Sequence, residues 1–242
     1  MNIKLNHSEC QTKAGAGLPL VALCLLTLSA CTTTQKVDIK QSGVSCSFLA
    51  NDCSLLTVGG KDQTGLRYVN PAAQWRHYTK IIIDPVTFWG GSSTQISSSD
   101  QQMLVNYLSQ QLKEELGKKF EIVDQPGPGV MKFDAALTDA EAATPGLRSI
   151  SMIVPQAHML SNLKYLATGT MPFVGAAQVE AKVTDSVTGQ ILAMVVDKRI
   201  GGGSFTTGFQ WQWGDAENAI NHWAELAATR LSSWTSGTAP AQ

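Results

Sequence analysis

The feature that most limits what this 242-residue chain can fold into is an apolar run at residues 18–28, closed by Leu28-Ser29-Ala30-Cys31. Lys4 and Lys13 precede it and small residues end it, which is the basic, apolar, small order of an export signal. It is shorter than the roughly 20 apolar residues that a spanning helix requires. The part that folds is therefore expected to be residues 31–242, outside the cytoplasm, where disulfides persist. Residues 1–30 are read as the signal peptide.

The same four residues resemble the lipobox of bacterial lipoproteins, whose cysteine is diacylated, exposed by cleavage and acylated again. Cys31 is the lipidation site on this reading, and a membrane is the first expected partner. Two acyl chains already hold a protein stably at a bilayer, because each buried methylene contributes about 0.8 kcal/mol. By resemblance to the sorting pattern of enteric bacteria, in which an Asp after the cysteine favours inner-membrane retention, Thr32 implies the outer membrane, with the domain in the periplasm. Polar residues such as Thr32-Thr33-Thr34 and Gln41-Ser42-Gly43 suggest a flexible tether, drawn as 31–65 together with the acylated cysteine.

Removing residues 1–30 takes away Lys4, Lys13 and Glu9 and leaves 16 basic against 18 acidic side chains, a formal net of −2. So even a balance argues against nucleic acid as a partner, since phosphate backbones are bound by clustered Lys and Arg. Beyond Cys31 only Cys46 and Cys53 remain. A disulfide between them is expected. A metal or redox pair is the rival, but the spacing is not CxxC and no His lies nearby. No metal and no cofactor is expected.

Thr79-Lys80-Ile81-Ile82-Ile83 is a β-branched run, hence a buried strand. Ser99 with Gln102 looks like a helix start, and Leu104, Leu108, Leu112 and Leu116 follow as one apolar stripe. A short strand at residues 120–123 stops at Pro126-Gly127-Pro128-Gly129. Met131, Phe133, Ala135 and Leu137 then alternate with polar residues along a longer strand at 130–142. A hairpin follows, with its turn at Asp185-Ser186-Val187-Thr188-Gly189 and a return strand apolar on both faces, hence central. A last helix begins at Asp215 and buries Ile220, Trp223, Ala227, Leu231 and Trp234. The expected fold is a two-layer α/β (α+β) sandwich: a small mixed or antiparallel sheet of about four to five strands, with two main helices on one face. The domain is drawn as 66–235, and 236–242 as a disordered tail.

Seven stretches in order, among them Tyr68-Val69-Asn70-Pro71, Ile83-Asp84-Pro85-Val86, Val123-Asp124-Gln125-Pro126-Gly127-Pro128-Gly129 and Trp213-Gly214-Asp215, resemble the bacterial lipoprotein family catalogued as domain of unknown function 3313. The resemblance covers about residues 60–235. It implies an outer-membrane lipoprotein and brings no catalytic residue, ligand or cofactor with it.

The residues themselves offer no catalytic constellation. Asp134, Asp139 and Glu141 are suited to a hard cation or acid/base pair, but fit a solvated sheet face better. His77, His158 and His222 fall in separate elements without a ligand spacing. Trp89, Trp211 and Trp213 lie beside loops, where tryptophans anchor interfaces, so they form the candidate interaction surface; the alternative is that they cover the core. Residues 145–166 are weakly charged and suit either a membrane or subunit contact or a cover over the sheet edge. The leading expectation is a non-enzymatic binding or assembly-accessory module whose partner is another envelope protein. The alternatives are an oligomeric envelope component using 145–166, which would make it a homo-oligomer, and an unrecognised envelope hydrolase.

Overall fold

The computed structural model describes residues 34–39, 46–90, 96–143, 175–201 and 212–238. Among the described residues nine strands form a single sheet: β1 Gln35–Lys36, β2 Thr57–Val58, β3 Leu66–Val69, β4 Lys80–Ile83, β5 Thr87–Phe88, β6 Glu121–Ile122, β7 Val130–Glu141, β8 Ala176–Asp185 and β9 Ile191–Ile200. Among the described residues the α-helices are α1, Ser98–Gly117, and α2, Gly214–Ser236. Strand order is β2-β3-β9-β8-β7-β4-β6, with β1 also on β9 and β5 also on β7. The mixed α+β architecture is as expected, but the sheet is larger than four to five strands. The short strand expected at 120–123 is β6; the additional strands are β1, β2 and β5, of two residues each and too few to show a period of two, and β3 of four. β1 and β3 are held by β9, β5 by β7, and β2 in turn by β3.

Pairing is antiparallel through β2, β3, β9, β8 and β7, whereas β4 runs parallel to both β7 and β6. The parallel part follows from α1, which lies between β4 and β6 in the chain and makes a crossover where a hairpin is impossible. Gly129 starts β7 in a left-handed conformation (φ 74°), and a Cβ there would lie 2.8 Å from the His77 carbonyl oxygen. Only glycine permits so close an approach of these two segments.

In α1 the cap is Ser97, not Ser99: its hydroxyl accepts from the Asp100 N–H at 3.1 Å. The leucine stripe is buried as expected, against Met131, Phe133, Ala135 and Leu137 of β7. Helix α2 buries Ile220, Trp223 and Leu231 beside small Ala216, Ala219, Ala224 and Ala228 on the same core. Tyr107 of α1 donates to Asn221 of α2 at 2.9 Å. Asp215, expected as a cap, is instead buried inside the first turn of α2, where it accepts from the Gly175 N–H at 2.9 Å and ties α2 to the start of β8.

The opposite face of the sheet is covered by residues 46–56. Leu49 and Leu56 are buried on Leu66, Met194 and Val196, and a Cys46–Cys53 disulfide closes the loop that carries Leu49. The described parts of the expected tether are therefore integral to the domain: residues 34–39 lie along β9 and 46–65 lie on the sheet. Leu49 and Leu56 are seven residues apart and follow no strand or helix period, so the sequence does not reveal that they are seated on the sheet.

Candidate functional site

The candidate acids are held by lysines. Lys198 bridges Asp139 at 2.9 Å and Glu141 at 3.8 Å, while Lys132 bridges Asp84 at 2.8 Å and Asp134 at 3.2 Å. Burial, against the pull of Lys132, pushes the Asp134 carboxyl above its ordinary value. Among the described residues no three His, Cys, Asp or Glu side chains are placed to hold a metal ion. His77 lies exposed in a short helical turn, and His222 is half-buried on α2. Burial and the charge of Arg199 lower the His222 pKa to about 4.

Of the tryptophans proposed as an interaction surface, Trp89 is 49% exposed and packs edge-on against Phe48, with ring centroids 5.9 Å apart. Trp213 does not belong to that surface. At 2% exposure it is a core residue, because it precedes α2 at the point where the helix meets the sheet. Trp211, Cys31, His158 and the segment 145–166 lie outside the described residues.

Two buried carboxylates organise the sheet faces. Glu180, fully buried on the face away from the helices, accepts from the backbone N–H groups of Ser47, Phe48 and Leu49 at 3.1, 3.0 and 2.9 Å. Three aligned amide dipoles take the place of a counter-cation there. On the helix face, Asp197 accepts from the Gly65 N–H at 2.7 Å and from Trp223 Nε1 at 2.8 Å, with Arg199 3.5 Å away. Desolvation raises the Asp197 pKa, and these donors counter it. Arg199 in turn donates to the Thr34 hydroxyl at 2.6 Å and to its carbonyl at 3.1 Å. It thereby pins the chain three residues after Cys31.

The concave feature lies between the sheet and the helices. Across β7, β8, β9 and β3 the helix-facing side chains form rows: Ala135, Ala181, Val195 and Arg67 in one, Phe133, Val183, Ala193 and Val69 in the next. The alanines leave a cavity of about 120 Å³ beneath Trp223, Ala227 and Leu231 of α2 and Leu108 and Leu112 of α1. Its outer wall, made of Val69, Val195, Leu226, Ala227 and Trp234, is half-exposed, and Gln63, Thr64, Arg67 and Arg230 line the rest of that side. Burial, and then the charge of Arg230, lower the Arg67 pKa. Arg230 donates to the Asp62 carbonyl at 3.0 Å. Among the described residues no carboxylate pairs with either guanidinium. Neither arginine was legible as a site residue, since they lie far apart in sequence and only the β3–α2 packing brings them together.

A mixed sheet with helices on one face and an open apolar cavity under the last helix defines a class of small α+β domain. The chain belongs to the family described as Protein of unknown function (DUF3313), whose model matches residues 46–227. It is similar to "Uncharacterized lipoprotein YdcL" of Escherichia coli strain K12, 28% identical over 181 residues, covering 73% of this chain and 79% of that protein. Among solved structures it is similar to protein XCC0632 from Xanthomonas campestris: 11% identity, TM-score 0.40, 71% of this chain and 95% of that one. It is likewise similar to the PelC dodecamer from Paraburkholderia phytofirmans, at 9% identity and TM-score 0.36, over 66% of this chain and 94% of that one.

Proposed function

We propose that this protein is a lipid-anchored lipoprotein of the bacterial envelope, held at the outer membrane by acylated Cys31 with its domain in the periplasm. It works as a non-enzymatic binding module for another envelope component. The observation that carries the binding role is the apolar cavity of about 120 Å³ under α2. Interiors are close-packed, so an open void with an apolar lining is a place for something else to sit. The lipobox supports the anchor, as does the name of the relative in Escherichia coli, a lipoprotein.

Two readouts on whole cells test this. Palmitate labelling with membrane fractionation should put label and protein in the outer membrane, and Cys31→Ser should abolish the label. A photo-crosslinking amino acid at Ala227, on the cavity wall, should yield an envelope adduct that the same group at exposed Lys113 of α1 does not. Unlabelled wild-type protein refutes the anchor. Identical adducts from both positions refute the cavity as the binding site.

A further inference from the structure

The cavity has one chemical asymmetry. Its depth is alanine, valine and leucine, whereas its open side carries two guanidinium groups close enough for Arg230 to depress the Arg67 pKa. Neither has a carboxylate partner among the described residues. Two like charges brought together beside an apolar void are complementary to an anion whose body is hydrocarbon. Carboxylates suit this arrangement because a planar guanidinium binds both oxygens at once.

Resting on the binding-module reading above, we infer that the cavity takes a short aliphatic carboxylate of about five or six carbons, its head held between Arg67 and Arg230. Size supports this. A cavity of about 150 Å³ holds benzene, so the 120 Å³ here takes about five or six carbons of a chain.

The test uses the acylated full chain in nanodiscs, with empty nanodiscs as reference, and bromine-substituted carboxylates as probes. Bromine quenches tryptophan on contact, and Trp223 and Trp234 line the cavity. Saturable quenching by bromohexanoate is expected, and it should be lost in a Trp223→Phe/Trp234→Phe variant. Affinity should rise about fourfold per added methylene from bromobutanoate to bromohexanoate, then level off by bromooctanoate. A rise that never levels marks adsorption to the surface and overturns the inference. Arg67→Ala and Arg230→Ala should each weaken binding about tenfold, the scale of a charge-assisted hydrogen bond. Ala181→Leu should fill the cavity and abolish quenching; should that core variant not fold, Ala227→Leu on the half-exposed helix face serves the same end. Bromohexanol bound as tightly as bromohexanoate leaves the binding module standing and removes the carboxylate. Tighter binding of bromohexyl phosphate also removes the carboxylate, in favour of a phosphate head. No quenching by any probe overturns both the inference and the cavity as a binding site.

Discussion

Replacing Glu180 by Gln changes two atoms' worth of chemistry in a position with no solvent access. The carboxylate receives one N–H from Ser47 on Oε1 and two, from Phe48 and Leu49, on Oε2. A glutamine oriented to keep its oxygen on Phe48 and Leu49 turns its NH₂ toward the Ser47 N–H, donor against donor. The two retained bonds become neutral, and a hydrogen bond to a charged group is worth about 1.5–3 kcal/mol against about 1 for a neutral one. Ser47 itself is exposed and can turn to water, so its loss costs less than a buried orphan would. The sum is about 2–3 kcal/mol of destabilisation. Urea unfolding of the full chain, followed by circular dichroism, measures it as a fall in midpoint at constant slope. The Cys46–Cys53 disulfide should also become faster to reduce, because the loop it closes is the one Glu180 holds down. A change below about 0.5 kcal/mol, the scatter of an ordinary surface substitution, together with an unchanged reduction rate, would refute the view that this carboxylate seats the N-terminal segment.

Cys46→Ser/Cys53→Ser opens a loop with a sequence separation of seven residues; chain entropy alone predicts a loss of about 2.5 kcal/mol, read from the same urea transition. His222 supplies a pH signature. Its pKa is lowered in the fold to about 4 from an ordinary 6.5, so the unfolded chain binds the extra proton between these values. The contribution of neutral His222 is complete above pH 6.5 and is lost as pH falls toward 4. Discounted for partial exposure, this amounts to about 1–2 kcal/mol. His222→Gln should flatten the decline in stability over that window. Asp197, with a raised pKa, acts in the opposite sense near it, so the comparison with the parent at each pH isolates the histidine.

Much of the fold was present in local pattern. The leucine stripe of α1, the alternation of β7 and the turn at Asp185–Gly189 each repeat at the period of their own element, and burial follows from that period. Boundaries were less legible where a better competitor lay one or two residues away, as with Ser97 over Ser99. Trp213 illustrates a sharper limit: beside a loop in sequence, it became core because α2 starts against the sheet.

Local sequence sufficed for the pairing of Cys46 with Cys53, for the long helices and long strands, and for the even balance of charge. All of these are properties of neighbours along the chain. Tertiary structure alone decided that residues 34–39 and 46–65 belong to the domain, that Glu180 and Asp197 anchor opposite faces of the sheet, and that Arg67 and Arg230 flank one cavity. That cavity is a property of rows running across β7, β8, β9 and β3, perpendicular to the chain. Ala135, Ala181 and Ala193 come from three different strands, and each alanine alone is unremarkable until register sets them side by side.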